Sequence, residues 1–200
     1  MKTFNESTAA PSTSVTADRS DLSAHETGRS LVIAAAVGRM LLGFTFLWAF
    51  LDKTFGLGYS TASANAWIRH GSPTYGFLAH VSVGPFESVF HSIAGNWLVN
   101  WLFMLGLLGI GVALFAGVAL RAAAAAGVLM LVLMWAAEWP MARYNSAGEL
   151  TGSTSPFVDY HLVYAITLVM IALVVGAGST WGLADRWASI PFVAKHSWLK

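Results

Sequence analysis

Residues 97–120 read WLVNWLFMLGLLGIGVALFAGVAL, 24 positions without one charged side chain. At 1.5 Å per residue, a helix of that length reaches about 36 Å, enough to cross a hydrocarbon core of roughly 30 Å. Arg121 alone separates this run from the next, Ala122–Ala137, which is closed by Glu138, Trp139 and Pro140. The two therefore read as a tight helical hairpin. Upstream, Leu31–Leu51 is apolar over 21 residues and is broken only by Arg39. Downstream, Tyr160–Gly178 is a fourth run, with Ser155 as its expected N-cap and Pro156 at its first helical position. The expected fold is all-α, an integral membrane four-helix bundle, because a spanning chain must satisfy its own backbone polar groups.

Composition supports that class. The 200 residues carry 11 Lys and Arg against 10 Asp and Glu, so 10% are charged and 56% are hydrophobic. Soluble domains carry roughly 25% charged residues, and so few could not cover this much apolar surface. An ordinary soluble enzyme is excluded. A net charge of +1 with no basic tract makes nucleic acid an unsuitable partner. The absence of cysteine removes thiolate catalysis, thiolate-bound zinc and thiolate-held iron–sulfur clusters.

Residues 1–30 are rich in Ser, Thr and Ala and are expected to form a disordered tail. They lack the basic start and adjoining apolar core of a cleavable signal. The membrane domain is expected over 31–185, with a second tail over 186–200. Lys2, Arg19, Arg29, Arg121, Arg186, Lys195 and Lys200 fall on one side of the four runs; Lys53, Arg69 and Arg143 fall on the other. That bias places both termini in the cytoplasm and the 52–96 and 140–159 loops outside, in a bacterial cytoplasmic membrane. Within the first outer loop, Phe86, Val89, Phe90 and Ile93 recur at helical spacing after Gly84-Pro85. A short amphipathic helix is expected there, on the bundle mouth or in the outer interface.

Small residues set the expected packing. Gly109, Ala113 and Gly117 form a small-xxx-small stripe, and the third run opens with five alanines and then Gly127. Close pairing of the second and third spans follows, or a homo-oligomer contact through the stripe, with lipid covering the rest.

Polar residues inside these runs need partners. An unpaired Arg39 near mid-membrane costs roughly 2.5–3.5 kcal/mol. It either has a structural role, snorkelling inward or capping carbonyls of a neighbouring helix, or it anchors a ligand or subunit. Asp52 and Lys53 end the first span, Glu138 ends the third, and Asp159 and His161 open the fourth, all at one depth. One reading is a polar belt of salt bridges. The other is a quinone head-group site, which needs flat apolar walls, hydrogen-bond donors and a proton-exchanging group. In that reading Glu138 and His161 exchange protons, Trp48 or Trp135 supplies a wall, and Lys53 sits at the rim. Asp159 and His161 are two residues apart, about 200° around a helix, so Asp159 is expected to turn away. Arg39 and Lys53 are about 21 Å apart along one face, too far for one ligand head to touch both. No nucleotide or flavin motif occurs, no mid-span histidine suits a haem, and no metal site is evident.

Several stretches together resemble the DoxX/DoxD family of small four-span bacterial membrane proteins. They are Arg39-Met-Leu-Leu-Gly43-Phe-Thr-Phe46 running to Asp52-Lys53, then Phe55-Gly56-Leu57-Gly58, Ala66-Trp67-Ile68, Gly71-Ser72-Pro73-Thr74 and Gly76-Phe77-Leu78. Trp101 to Gly109 and Asp159-Tyr-His161-Leu-Val-Tyr164 also fit, so the likeness covers about 36–185. Some members are the membrane subunit of a thiosulfate:quinone oxidoreductase; others are proposed accessory partners in oxidative-stress and sulfur handling. The resemblance implies a membrane quinone as substrate and a second protein subunit, with Lys53, Arg69 and Arg143 available to a sulfur anion. The alternative it leaves open is a non-catalytic subunit docked on a respiratory complex.

Overall fold

The computed structural model describes residues 13–199, with side chains described from residue 24 onward. Among the described residues eight α-helices follow one another: α1 Thr13–Phe55, α2 Tyr75–Leu78, α3 Glu87–Ile93, α4 Trp97–Ala116, α5 Leu120–Glu138, α6 Tyr160–Leu173, α7 Ala184–Ala188 and α8 Pro191–Lys195. Short 3-10 turns stand at 63–65, 67–69 and 197–199. The described residues form no strand, only an isolated bridge between Tyr144 and Leu150. Among the described residues three helices are long and apolar enough to cross a membrane: Ala24–Phe55 within α1, α4 and α5. Their outer faces present Leu41, Phe44, Leu102, Leu105, Leu129 and Leu133 uncovered by the rest of the chain.

The α1 helix begins well before the expected Leu31. The stretch 13–30, expected to be disordered, is helical, and only 1–12 of that tail lies outside the described residues. No proline follows Pro11 until Pro73, and the single glycine before Leu31 is Gly28. Extending a helix already formed avoids the cost of a new nucleus, so weak helix formers suffice. The described part of the second tail, 186–199, is likewise built into the fold. Val193 is buried, Trp187 Nε1 donates to the Leu199 carbonyl at 2.7 Å, and Arg121 Nη1 donates to that of Ser197 at 3.5 Å.

Four helices surround the core, and the close pairs are α1 with α4 and α5 with α6. Leu42, Phe46, Met104, Leu107, Leu131 and Leu168 fill the space between them. The second and third spans, α4 and α5, pack on each other as expected, but less extensively than either of the close pairs. A Cβ on Gly43 would lie 2.8 Å from the Phe115 nitrogen, so Gly43 lets α1 press on α4. Gly127 serves chiefly the α5–α6 contact, since a Cβ there would meet Leu168 at 2.6 Å, and it also faces Ile110 of α4 at 3.5 Å. The stripe 109–113–117 does not form one face: Gly109 has open space beside it, and Gly117 lies past the end of α4.

Between Phe55 and Trp97 the chain folds over one end of the bundle. Asn100 Oδ1 accepts from the Ser72 hydroxyl (3.0 Å), the Thr74 amide (3.2 Å) and the Thr74 hydroxyl (2.7 Å), which pins the loop to α4. A helix does occupy Glu87–Ile93, with Phe90 buried against Leu78, Val81 and Ala137 while Phe86 and Val89 stay exposed.

The last apolar helix departs most from expectation. It starts at Tyr160, capped by Asp159, whose Oδ1 accepts from the Leu162 amide at 3.2 Å; Ser155 and Pro156 lie outside it. It ends at Leu173 after 14 residues rather than at Gly178. Beyond it, 174–182 unwinds through Gly176, and its carbonyls turn to Arg39.

Candidate functional site

Glu138, Asp159 and His161 meet where α5 ends and α6 begins. His161 is 1% exposed, and its Nδ1 stands 2.8 Å from Asp159 Oδ2 and 3.8 Å from Glu138 Oε2. Asp159 therefore faces His161, correcting the expectation that it turns away. The 100° step between residues holds only inside a helix. Asp159 is the N-cap, with φ −120° and ψ −175°, and that extended backbone swings its carboxylate over the first turn. One carboxylate thus caps the helix through Oδ1 and engages the histidine through Oδ2.

Glu138 is reached from the other side. The Tyr160 hydroxyl donates to its Oε1 at 3.2 Å, and the Tyr160 ring lies 4.0 Å from that of His161. The α5 helix stops here because Trp139 adopts φ +40°, with its ring against Gly84. At 38% exposure Glu138 borders a cavity of about 480 Å³, lined also by His80, Ser153, Asp159 and Tyr160. No Lys or Arg lines this cavity. His161 Nε2 points away from the carboxylates, is buried, and has no hydrogen-bond partner among the described residues.

The other residues expected at this mouth form a separate arrangement. Asp52 is buried and accepts from the Tyr59 amide (3.2 Å), the Ser60 amide (3.0 Å) and the Ser60 hydroxyl (2.7 Å). It fastens the loop that follows α1. Lys53 Nζ donates to Ser60 Oγ at 3.5 Å and is not at the rim of the cavity. Trp48 packs on Phe44 and edge-on against Tyr59 at 5.0 Å. Trp135 Nε1 donates to the Phe157 carbonyl at 2.9 Å. Neither tryptophan lines the cavity, and His161, expected to line it with Glu138, stands behind Asp159 and Glu138 outside its wall, so the single mouth cluster expected from depth alone divides in two. Helices at one depth can still stand on different sides of a bundle.

Arg39 has a structural setting. It is 0% exposed. Nε donates to the Ala177 carbonyl (3.1 Å), and Nη1 donates to those of Leu114 and Phe115, the latter at 2.7 Å. Nη2 donates to those of Thr180 (3.1 Å) and Trp181 (3.3 Å). A guanidinium has five N–H bonds, and all are engaged, which leaves none for a ligand head group. Of the two readings open for Arg39, capping of carbonyls fits and ligand anchoring does not. Gly117, in the left-handed region at φ +74°, makes room: a Cβ there would lie 2.5 Å from the Gly178 oxygen and 3.0 Å from Nη1.

Sequence reasoning missed the hydroxyl-lined wall of the cavity at 151–155 and the glycines around Arg39. The wall carried no signal, since its serines read as a polar loop. The glycines did, because GAGSTWG at 176–182 interrupts an apolar run. No family model, no curated protein and no solved structure matches this chain.

Proposed function

We propose that the chain is a membrane protein of the DoxX type with four crossings and cytoplasmic termini. It holds the head group of a membrane quinone beside His161, as the membrane subunit of a thiosulfate:quinone-type redox system. The fourth crossing consists of α6, about 21 Å at 1.5 Å per residue, completed by the unwound stretch 174–182. Irregular backbone at membrane depth is tolerated where protein satisfies it, and Arg39 does so here.

One observation carries the quinone reading, the buried Nε2 of His161 without a partner. Donation from Nδ1 to Asp159 leaves a lone pair on Nε2. Burying such a group unpaired costs about 1–3 kcal/mol, and a hydroxyl from a reduced quinone would relieve it. Tyr160 and Tyr164 offer the flat surfaces that a quinone ring stacks on. Tryptophan quenching by a short-chain quinol, with the protein in lipid nanodiscs, tests this. Saturable binding should weaken at least tenfold in His161→Phe; equal affinity in both proteins removes the reading.

A second reading, an accessory subunit without catalysis, draws on the charge of the cavity. Glu138 and Asp159 line it, whereas Lys53, Arg69 and Arg143 do not. A sulfur anion therefore finds no favourable field there, and a partner subunit would have to bind it. Copurification with that partner, followed by thiosulfate-driven quinone reduction, separates the two. Turnover lost in His161→Phe while the complex stays intact favours the quinone subunit.

A further inference from the structure

We infer that Glu138, Asp159 and His161 form a site for one divalent first-row transition ion of the zinc or manganese kind. The argument starts from which atoms are held and which are free. Glu138 Oε1 is fixed by the Tyr160 hydroxyl, and Asp159 Oδ1 by the Leu162 amide. Their other oxygens, Oε2 and Oδ2, both turn to Nδ1 of His161. The three candidate ligand atoms lie within 4.8 Å of one another. Closing around an ion at about 2.0–2.2 Å from each ligand requires the 2.8 Å Nδ1–Oδ2 pair to lose its shared proton and open by about half an ångström, and the exposed Glu138 carboxylate to rotate inward.

This division of labour is how protein metal sites are built. One oxygen of each carboxylate is oriented by a second donor, and the other is left for the ion. Charge points the same way. Two carboxylates face one imidazole, and no Lys or Arg lies within ion-pairing distance of either among the described residues. A divalent cation balances them. One imidazole nitrogen with two carboxylate oxygens suits zinc or manganese better than calcium, which prefers an all-oxygen shell. The cavity of about 480 Å³ beside Glu138 and Asp159 gives a path of entry and room for water on the remaining positions.

The ion would also reverse the role of Nε2. With Nδ1 donating to Asp159, Nε2 accepts. With the metal on Nδ1, the single proton of the neutral ring sits on Nε2, which then donates. That suits a quinone carbonyl rather than a quinol hydroxyl. This consequence rests on the quinone reading; the ion site itself does not.

The test uses the full chain in nanodiscs, treated with chelator and free of quinone. Zinc is titrated by calorimetry, and cobalt(II) by its visible ligand-field bands. One saturable equivalent is expected, with cobalt bands typical of mixed nitrogen and oxygen ligation. Glu138→Gln and His161→Ala should each weaken binding at least tenfold. Tyr160→Phe, which keeps all three ligands, should weaken it about tenfold through loss of orientation. Glu138→Gln changes an exposed group by one atom and so reports binding without unfolding the bundle. Nitrogen-15 shifts of His161 should move the ring proton from Nδ1 to Nε2 on zinc addition. No saturable binding, or binding unchanged in Glu138→Gln and His161→Ala, overturns the site. Quinol binding that persists in metal-free protein leaves the quinone reading standing whatever the titration gives.

Discussion

Arg39 replaces a helical ending with a side chain. Five carbonyls from two distant segments converge on it, and removing the guanidinium leaves those of Phe115, Ala177, Thr180 and Trp181 without a donor, while Leu114 keeps the Gly117 amide at 3.2 Å. At about 1–3 kcal/mol per orphaned group, Arg39→Leu should lower the unfolding midpoint in detergent steeply, and Arg39→Lys, with three donors, should recover only part. Gly178→Ala should act in the same direction by about 1–3 kcal/mol, because its Cβ would stand 2.6 Å from the Gly117 oxygen. Thermal unfolding followed by tryptophan fluorescence reads all three; a stable Arg39→Leu would contradict the anchoring role. The sequence made Arg39 conspicuous, since a mid-span charge must have a reason. It could not name the acceptors, because main-chain carbonyls leave no trace in residue types.

Among the elements, the α5–α6 junction decides the most. Asp159 serves both helix and site, and two substitutions separate those roles. Asp159→Ala should cost about 0.5–2 kcal/mol through the lost cap, while Asp159→Asn, which can still accept from the Leu162 amide, should cost a few tenths. If the two variants melt together, the cap is not what holds the start of α6. Element type was legible, as apolar runs of this length can only be buried or lipid-facing helices, and α4 and α5 fall close to the expected bounds. Element ends were not. Pro156 looked like a helix start, yet the cap came three residues later at Asp159, and the last run lost its end to Arg39. The site was half legible for the same reason. Glu138 and His161 were found from depth and aromatic neighbours, but Asp159 was turned the wrong way by applying helical spacing to a cap.

For the whole molecule, the apolar faces of α1, α4 and α5 make lipid the expected surroundings. The proposed orientation rests on the bias of Lys and Arg. Cysteines at exposed Ala62 and Ala147 should react with an impermeant maleimide in intact cells, and one at exposed Ser189 should react only after lysis. The opposite pattern would invert the molecule and move the Glu138–Asp159–His161 cluster to the cytoplasmic face. Sequence spacing assigns the small residues to one stripe for one neighbour, but the bundle distributes them, Gly43 to the α1–α4 contact and Gly127 to α6 and, less closely, α4. Which helices touch is a property of the closed bundle, and no single run of sequence encodes it.

The Arg39 anchor also orders the events of synthesis. Arg39 leaves the ribosome 75 residues before Leu114 and 138 before Ala177. Throughout that interval the first span holds a cation for which its final acceptors do not yet exist. Until translation passes Trp181, the nascent chain has to stay beside the insertion machinery or keep Arg39 near the head groups. On the proposed topology, arrival of the last acceptors is then the step expected to release the protein into the bilayer. A chain stopped after Leu173 keeps every long apolar helix and still lacks three of the five acceptors. In a pulse-chase it should be degraded far faster than the full chain, and Arg39→Leu should slow that loss.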